Sequence, residues 1–202
     1  MAWIAANRFL SLSEMENNAL EVWRVLGGYG LPKNVVAGIL GNFQSESTIN
    51  PGIWQNLTIA TSNGFGLGQW TPSTNYTNWA TANGYDITDG DGQCRWIVEQ
   101  TPVVGQWIPT RAYPLSWDEF ITSDKAPGYL AWAYLRNWER PKNQNQPIRA
   151  TQAEYWYAFL EGEPIPPSPI RPGGGADWFM LVLWNKAPWY APYRGRGGGK
   201  AK

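Results

Sequence analysis

The 202-residue chain predicts a mainly α-helical lobe, followed by a Pro/Gly linker and a short C-terminal tail. Three observations predict it. Apolar residues recur at helical spacing, most clearly Val35, Val36, Ile39, Leu40 and Phe43 on one face. No sustained alternating pattern appears, so the only extended structure expected is a small hairpin near the substrate cleft. The composition then changes abruptly at GEPIPPSPIRPGGG, residues 162–175, a proline-rich stretch that ends in glycines. The chain therefore reads as a lobe over 1–163, a linker over 164–175 and an aromatic, basic tail over 176–202.

The elements follow in order. The start, MAWIAANRFLSL, has no basic segment ahead of an apolar run and does not read as a secretory signal. Ser13 followed by Glu16 fits a capping box and opens a first helix. A second helix starts near Pro32, since Pro is tolerated at the first helical position. Short helices and Asn-, Thr- and Gly-rich loops come next, including the helical run QCRWIVEQ. Pro127 and Pro141 bracket AWAYLRNWER, and residues 152–161, QAEYWYAFLE, form a last helix.

Composition excludes several chemistries. The chain has no histidine and one cysteine, Cys94. Zinc hydrolase sites rely on His ligands, and Ser-His-Asp or Cys-His sites need an imidazole base. No cofactor is expected. The segment DITDGDGQ looks briefly like a calcium loop but lacks the closing Glu at its twelfth position. Carboxylate chemistry is what remains.

One carboxylate stands out. Glu46 is the sole acid between Glu21 and Asp86. It lies three residues beyond Phe43, at the edge of the apolar face and in the last turn of its helix. A carboxyl there is partly desolvated, which disfavours its charged form and suits a general acid. A solvated surface residue can occupy the same position. An acid at a helix C-terminus is mildly unfavourable, however, which marks a functional rather than a stabilising choice. A second acid, if one is used, comes from Asp86, Asp89, Asp91, Glu99 or Asp118.

Several segments together resemble the phage tail-type lysozyme family, within the lysozyme-like superfamily. They are NALEVWRVLGGYGL, AGILGNFQSES, GFGLGQW, QCRWIVEQ and AWAYLRNWERP, spanning about Glu16 to Glu161. Glu-Ser preceding Gly-Leu-Gly-Gln by about twenty residues, with the flanking helices in order, makes the likeness specific. The resemblance implies a lysozyme-like helical lobe in which Glu46 matches the catalytic acid. Gly66, Gly68 and Gln69 match the turn lining the substrate cleft, and Tyr134 resembles a tyrosine facing the acid in transglycosylases. Many relatives carry two arginines after Gln-Trp, where this chain has Ser73, Thr74 and Asn75.

Fourteen tryptophans ask for a role beyond the core, because flat aromatic faces suit sugar rings. Trp54, Trp70, Trp79 and Trp107 fall in the cleft-forming half, and Trp70 is the expected substrate contact. Residues 176–202 hold five basic residues and one acid, against eleven and fifteen before them. The apolar run ADWFMLVLW is too short to span a membrane, and no nucleic-acid partner is expected. The tail reads as a docking element for phage tail proteins. The resemblance implies a hydrolase of bacterial peptidoglycan, carried in the virion tail and acting in the host wall. An endolysin or a non-catalytic tail-tip protein are the alternatives.

Overall fold

Helix α1 (Leu12–Gly28) begins where Ser11 accepts a hydrogen bond from the Glu14 amide while Glu14 bonds back to the Ser11 amide at 2.9 Å. The capping box thus lies two residues ahead of the expected Ser13–Glu16 pair. Both pairs have the right spacing, but Arg8 clamps the Glu14 carboxylate at 2.5 Å and, with Ser11, pulls it down to about 2. Glu16 instead accepts from the Tyr155 hydroxyl. The computed structural model describes residues 2–167. The tail over 176–202 lies outside the described residues, as does most of the linker.

Helix α2 (Lys33–Ser47) comes next, with Pro32 as its N-cap rather than its first residue. Val35, Val36, Ile39, Leu40 and Phe43 are all fully buried, each worth roughly 1.5–3 kcal/mol in transfer terms. Helix α2 packs on α1, α6 (Pro127–Tyr134) and α7 (Ile148–Leu160). Its glycines make that possible. A Cβ on Gly41 would stand 2.4 Å from the Arg149 carbonyl oxygen and 2.8 Å from the Ala153 amide. Backbone cannot retreat as a flexible side chain can, so Gly41→Ala should lower stability by about 1–3 kcal/mol. A urea midpoint equal to that of the wild type would contradict this packing.

Helices α3 (Thr74–Ala82), α4 (Gly90–Gln100) and α5 (Trp117–Ile121) complete the lobe, with α4 lying against α1 and α3. Helix α6 starts at Pro127 as expected. It continues as a π-helical turn, Leu135–Glu139, stopped by Arg140 in the left-handed region. Helix α7 begins at Ile148, four residues before the expected start, because Pro147 already adopts helical dihedrals as its N-cap.

The expected hairpin is absent among the described residues. Two single bridges, Trp54 with Phe65 and Phe65 with Trp70, stand in its place. Asn56, Leu57 and Gln69 take positive φ of 54°, 56° and 45°, and turns of that kind prevent paired strands from continuing. The linker also starts attached to the lobe. The Trp23 indole donates to the Pro164 carbonyl at 2.9 Å, and the Lys33 ammonium donates to the Glu161 and Glu163 carbonyls.

Much of the tryptophan builds the core. Trp70 stacks on Tyr76 and meets Trp96 and Trp138 edge-on, and Trp138 stacks on Tyr134. Trp107 packs on Phe120. Of the four cleft-half tryptophans, Trp70 and Trp107 are buried, Trp79 stacks on Tyr85, and Trp54 reaches the cleft.

Candidate active site

The last turn of α2 carries Glu46 to the wall of a cleft of about 330 Å³, together with Phe9, Ile53, Trp54, Gln55, Asn56, Gln69 and Thr71. The residues just past the helix fix that wall. Thr48 and Ile49 both take φ of 53° and close the helix end on the Gln44 and Phe43 carbonyls. The buried Ser47 hydroxyl donates to the Leu67 carbonyl at 3.0 Å, which fastens the helix end to the glycine-rich turn. Among the described residues, five of the six non-glycine residues with positive φ (Thr48, Ile49, Asn56, Leu57 and Gln69) belong to the segments around this cleft. Such conformations cost about 1–3 kcal/mol each and cluster where function demands them.

The glycine-rich turn acts through its backbone. Gly66 has φ of 75°, and a Cβ there would strike the Gln93 amide at 2.6 Å. Gln93 is itself buried, accepting from the Leu67 amide and donating to the Pro51 and Ile87 carbonyls. Gly68 lies against Trp138, 2.8 Å from where its Cβ would stand. Both glycines thus serve close packing behind the cleft wall. Gln69 lines the cleft, but its amide nitrogen is committed to the Gly66 and Ile53 carbonyls. Its side-chain oxygen makes no hydrogen bond within the described residues.

Trp70 and Tyr134 were expected against substrate, and the structure places both in the core. Trp70 is 5% exposed and Tyr134 is fully buried. Neither lines the cleft. The Tyr134 ring meets Phe43 edge-on at 6.4 Å. Its hydroxyl is buried without a partner, and burial pushes the phenol well up, with Glu139 and Glu46 adding to the effect.

The surroundings of Glu46 are more polar than the apolar edge expected. Arg149, only 5% exposed, reaches across from α7 and bonds the Glu46 carboxylate at 2.5 Å. The same guanidinium donates to Asn42 at 3.1 Å and Gln146 at 2.9 Å. Ser45 bonds Gln152, and the Trp156 indole bonds Gln44, so α7 holds the whole end of α2.

None of the five acids considered as a second carboxyl lines the cleft. Asp86 accepts from Thr88, and Asp89 caps α4. Asp91 takes Arg24 and the Trp3 indole, and Glu99 takes Arg95 and Tyr29. Asp118 is exposed in the first turn of α5.

A further acid lies within reach of the Glu46 charge: Glu139, the last residue of the π-helical turn. Its Oε1 is buried and has no hydrogen-bond partner, although part of the side chain remains accessible. Burial pushes this carboxyl well above the usual carboxylate range, and the nearby Glu46 charge pushes it further, against Arg149 and Arg140. It holds a proton where an ordinary carboxyl has lost one. Short π-helical turns of this kind are frequent at functional sites. A sequence signal existed: Glu139 closes a helix, YLAWAYLRNWE, that is apolar nearly all round and must therefore be buried.

This geometry can be set beside known proteins. The model of the phage tail lysozyme family matches residues 17–160. The chain belongs to the phage tail lysozyme family. It is also 48% identical over 158 residues to morphogenesis protein 1 of Bacillus phage B103, covering 78% of this chain and 43% of that protein. The chain thus spans less than half the length of that relative. The family match takes in Glu46, the glycine-rich turn, Glu139 and Arg149. It leaves out the first sixteen residues, Phe9 among them.

Proposed function

We propose that this chain is a tail-associated peptidoglycan hydrolase that cuts the glycan strand between its amino sugars. The observation that carries the reading is Glu46 on the cleft wall, held by Arg149, with the half-buried, unpartnered Glu139 carboxyl close enough to feel its charge. Glu46 is the carboxyl that lines the cleft, so it is the group proposed to protonate the departing glycosidic oxygen. Glu139 is proposed to pass its proton on to Glu46, and the proton that the attacking water loses returns to these carboxyls. Arg149 holds the Glu46 carboxylate in place and stabilises it once the proton has left. Water completes the reaction, giving a reducing-end product.

Membership of the phage tail lysozyme family supports the substrate, and likeness to a phage morphogenesis protein supports the virion tail as its place. The basic, aromatic segment 176–202 is proposed to dock on other tail proteins. Trp178, Phe179, Leu181 and Trp184 would be its apolar anchors.

Zymography on intact cell walls tests the proposal: a cleared band at the mass of the chain is expected, and an uncleared gel under native refolding would contradict it. Prior dialysis against a strong chelator should leave clearing unchanged. The site offers carboxylates, amides and a guanidinium but no imidazole or thiolate, a poor donor set for catalytic zinc. Loss of clearing restored by a divalent ion would overturn the carboxyl-pair account.

A further inference from the structure

The cleft has a second wall that the family match does not cover. Residues 2–10 form an arm without helix or strand, yet they are built into the lobe. Asn18 and Asn50, both fully buried, spend their side-chain amides on this arm. Asn18 exchanges hydrogen bonds with both backbone groups of Ile4. Asn50 does the same with Ala6 and also takes the Arg8 carbonyl at 2.7 Å. Asn7 bridges to the facing loop, accepting from the Trp54 amide and donating to the Leu57 carbonyl, each at 3.0 Å. Gly52 has no room for a Cβ, which would stand 2.6 Å from the Ala6 amide.

This fastening holds Phe9 on the rim of the Glu46 cleft with 66% of its surface in water. The backbone around Phe9 is held in place, yet a ring this exposed contributes little to packing. Across the cleft lie polar groups with capacity to spare. The Gln55 oxygen accepts from the Gly64 amide at 3.0 Å, leaving its NH2 group unused. The Asn56 side chain makes no hydrogen bond within the described residues, and Asn56 itself is held at φ of 54°. With the unused Gln69 oxygen, the site presents donors and acceptors opposite an aromatic face.

We propose that the arm is a substrate-binding element: Phe9, with Gln55, Asn56 and Gln69 opposite, forms a saccharide subsite that seats one N-acetylhexosamine ring beside Glu46. This deepens the glycan-cleaving reading and rests on it for the choice of ligand. One apolar face of the sugar lies on Phe9, while its hydroxyl and acetamido groups satisfy the three amides. The volume is at the low end for small-molecule sites, which span roughly 300–1,000 Å³, and fits one ring rather than a run of them. The pre-fastened arm reduces the ordering cost of binding.

The test measures binding rather than turnover. Tri-N-acetylchitotriose is titrated calorimetrically into the full chain carrying Glu46→Gln, and into the same chain with Phe9→Ala or Phe9→Trp added. Phe9→Ala should weaken binding by about tenfold, the scale of one lost aromatic contact, and Phe9→Trp should restore it. Equal affinity for the Phe9→Ala chain would overturn the subsite, as would no binding by the Glu46→Gln chain at all. If the saccharide binds through Phe9 but wall glycan is never cut, the subsite stands and the hydrolase reading falls.

Discussion

Replacing Glu46 with Gln should abolish wall cleavage, with a fall of at least about 10²–10⁴-fold, the usual contribution of a general acid. The amide keeps the shape of the side chain and can still accept from Arg149, but it has no proton of suitable acidity. Stability should also fall, because Arg149 at 5% exposure then loses the carboxylate 2.5 Å away that balances its charge. Its bonds to Asn42 and Gln146 remain and keep the fold. Clearing assays alongside circular dichroism check both points. Activity within about tenfold of the wild type, in a folded variant, would remove Glu46 from the reaction.

Glu139→Gln should separate two effects with opposite signs. Unfolded, this carboxyl returns to its ordinary value of 4.5, whereas folded it sits well above that value, first through burial and then through Glu46. As pH rises past 4.5 the unfolded chain gives up this proton first. The native state then binds more protons, and native stability falls with rising pH by at most about 1.4 kcal/mol per unit. Glutamine has no such proton to lose. The variant and wild type should therefore unfold at similar denaturant concentrations below pH 4.5, and the variant should gain a growing advantage above it. Activity should move the other way. Without a proton to pass on, cleavage should drop by about 10²-fold, and the alkaline limb of its pH profile should shift to lower pH. A variant whose stability follows this pattern while its rate and the pH dependence of its rate match the wild type would show that Glu139 is merely buried.

The sequence carried the helical lobe well because its signals are local. The apolar spacing from Val35 to Phe43 marks a buried helix face, and Pro127 marks the start of α6. The place of Glu46 in the last turn of that helix was legible for the same reason, but the Arg149 guanidinium that meets it was not. The capping box slipped by two residues because Ser11 and Ser13 offer equivalent spacing, and only the long-range clamp from Arg8 decides between them. The hairpin failed at Asn56, Leu57 and Gln69, non-glycine residues held at positive φ by tertiary contacts that no local propensity reveals. Trp70 and Tyr134 could not be told from cleft aromatics, since whether a ring faces a core or a cavity depends on what packs from elsewhere. Glu139 and Arg149 lie 93 and 103 positions from Glu46 in the chain. Only the meeting of α2, α6 and α7 brings them together.

The central claim is that this cleft cuts sugar–sugar bonds by proton donation from Glu46. Mass analysis of the soluble fragments released from purified peptidoglycan tests it most directly. The account predicts glycan fragments that end in reducing amino sugars with their peptide stems intact, and none from the Glu46→Gln chain. Cleaved stems on intact glycan strands, or ends that are solely anhydro sugars, would contradict it.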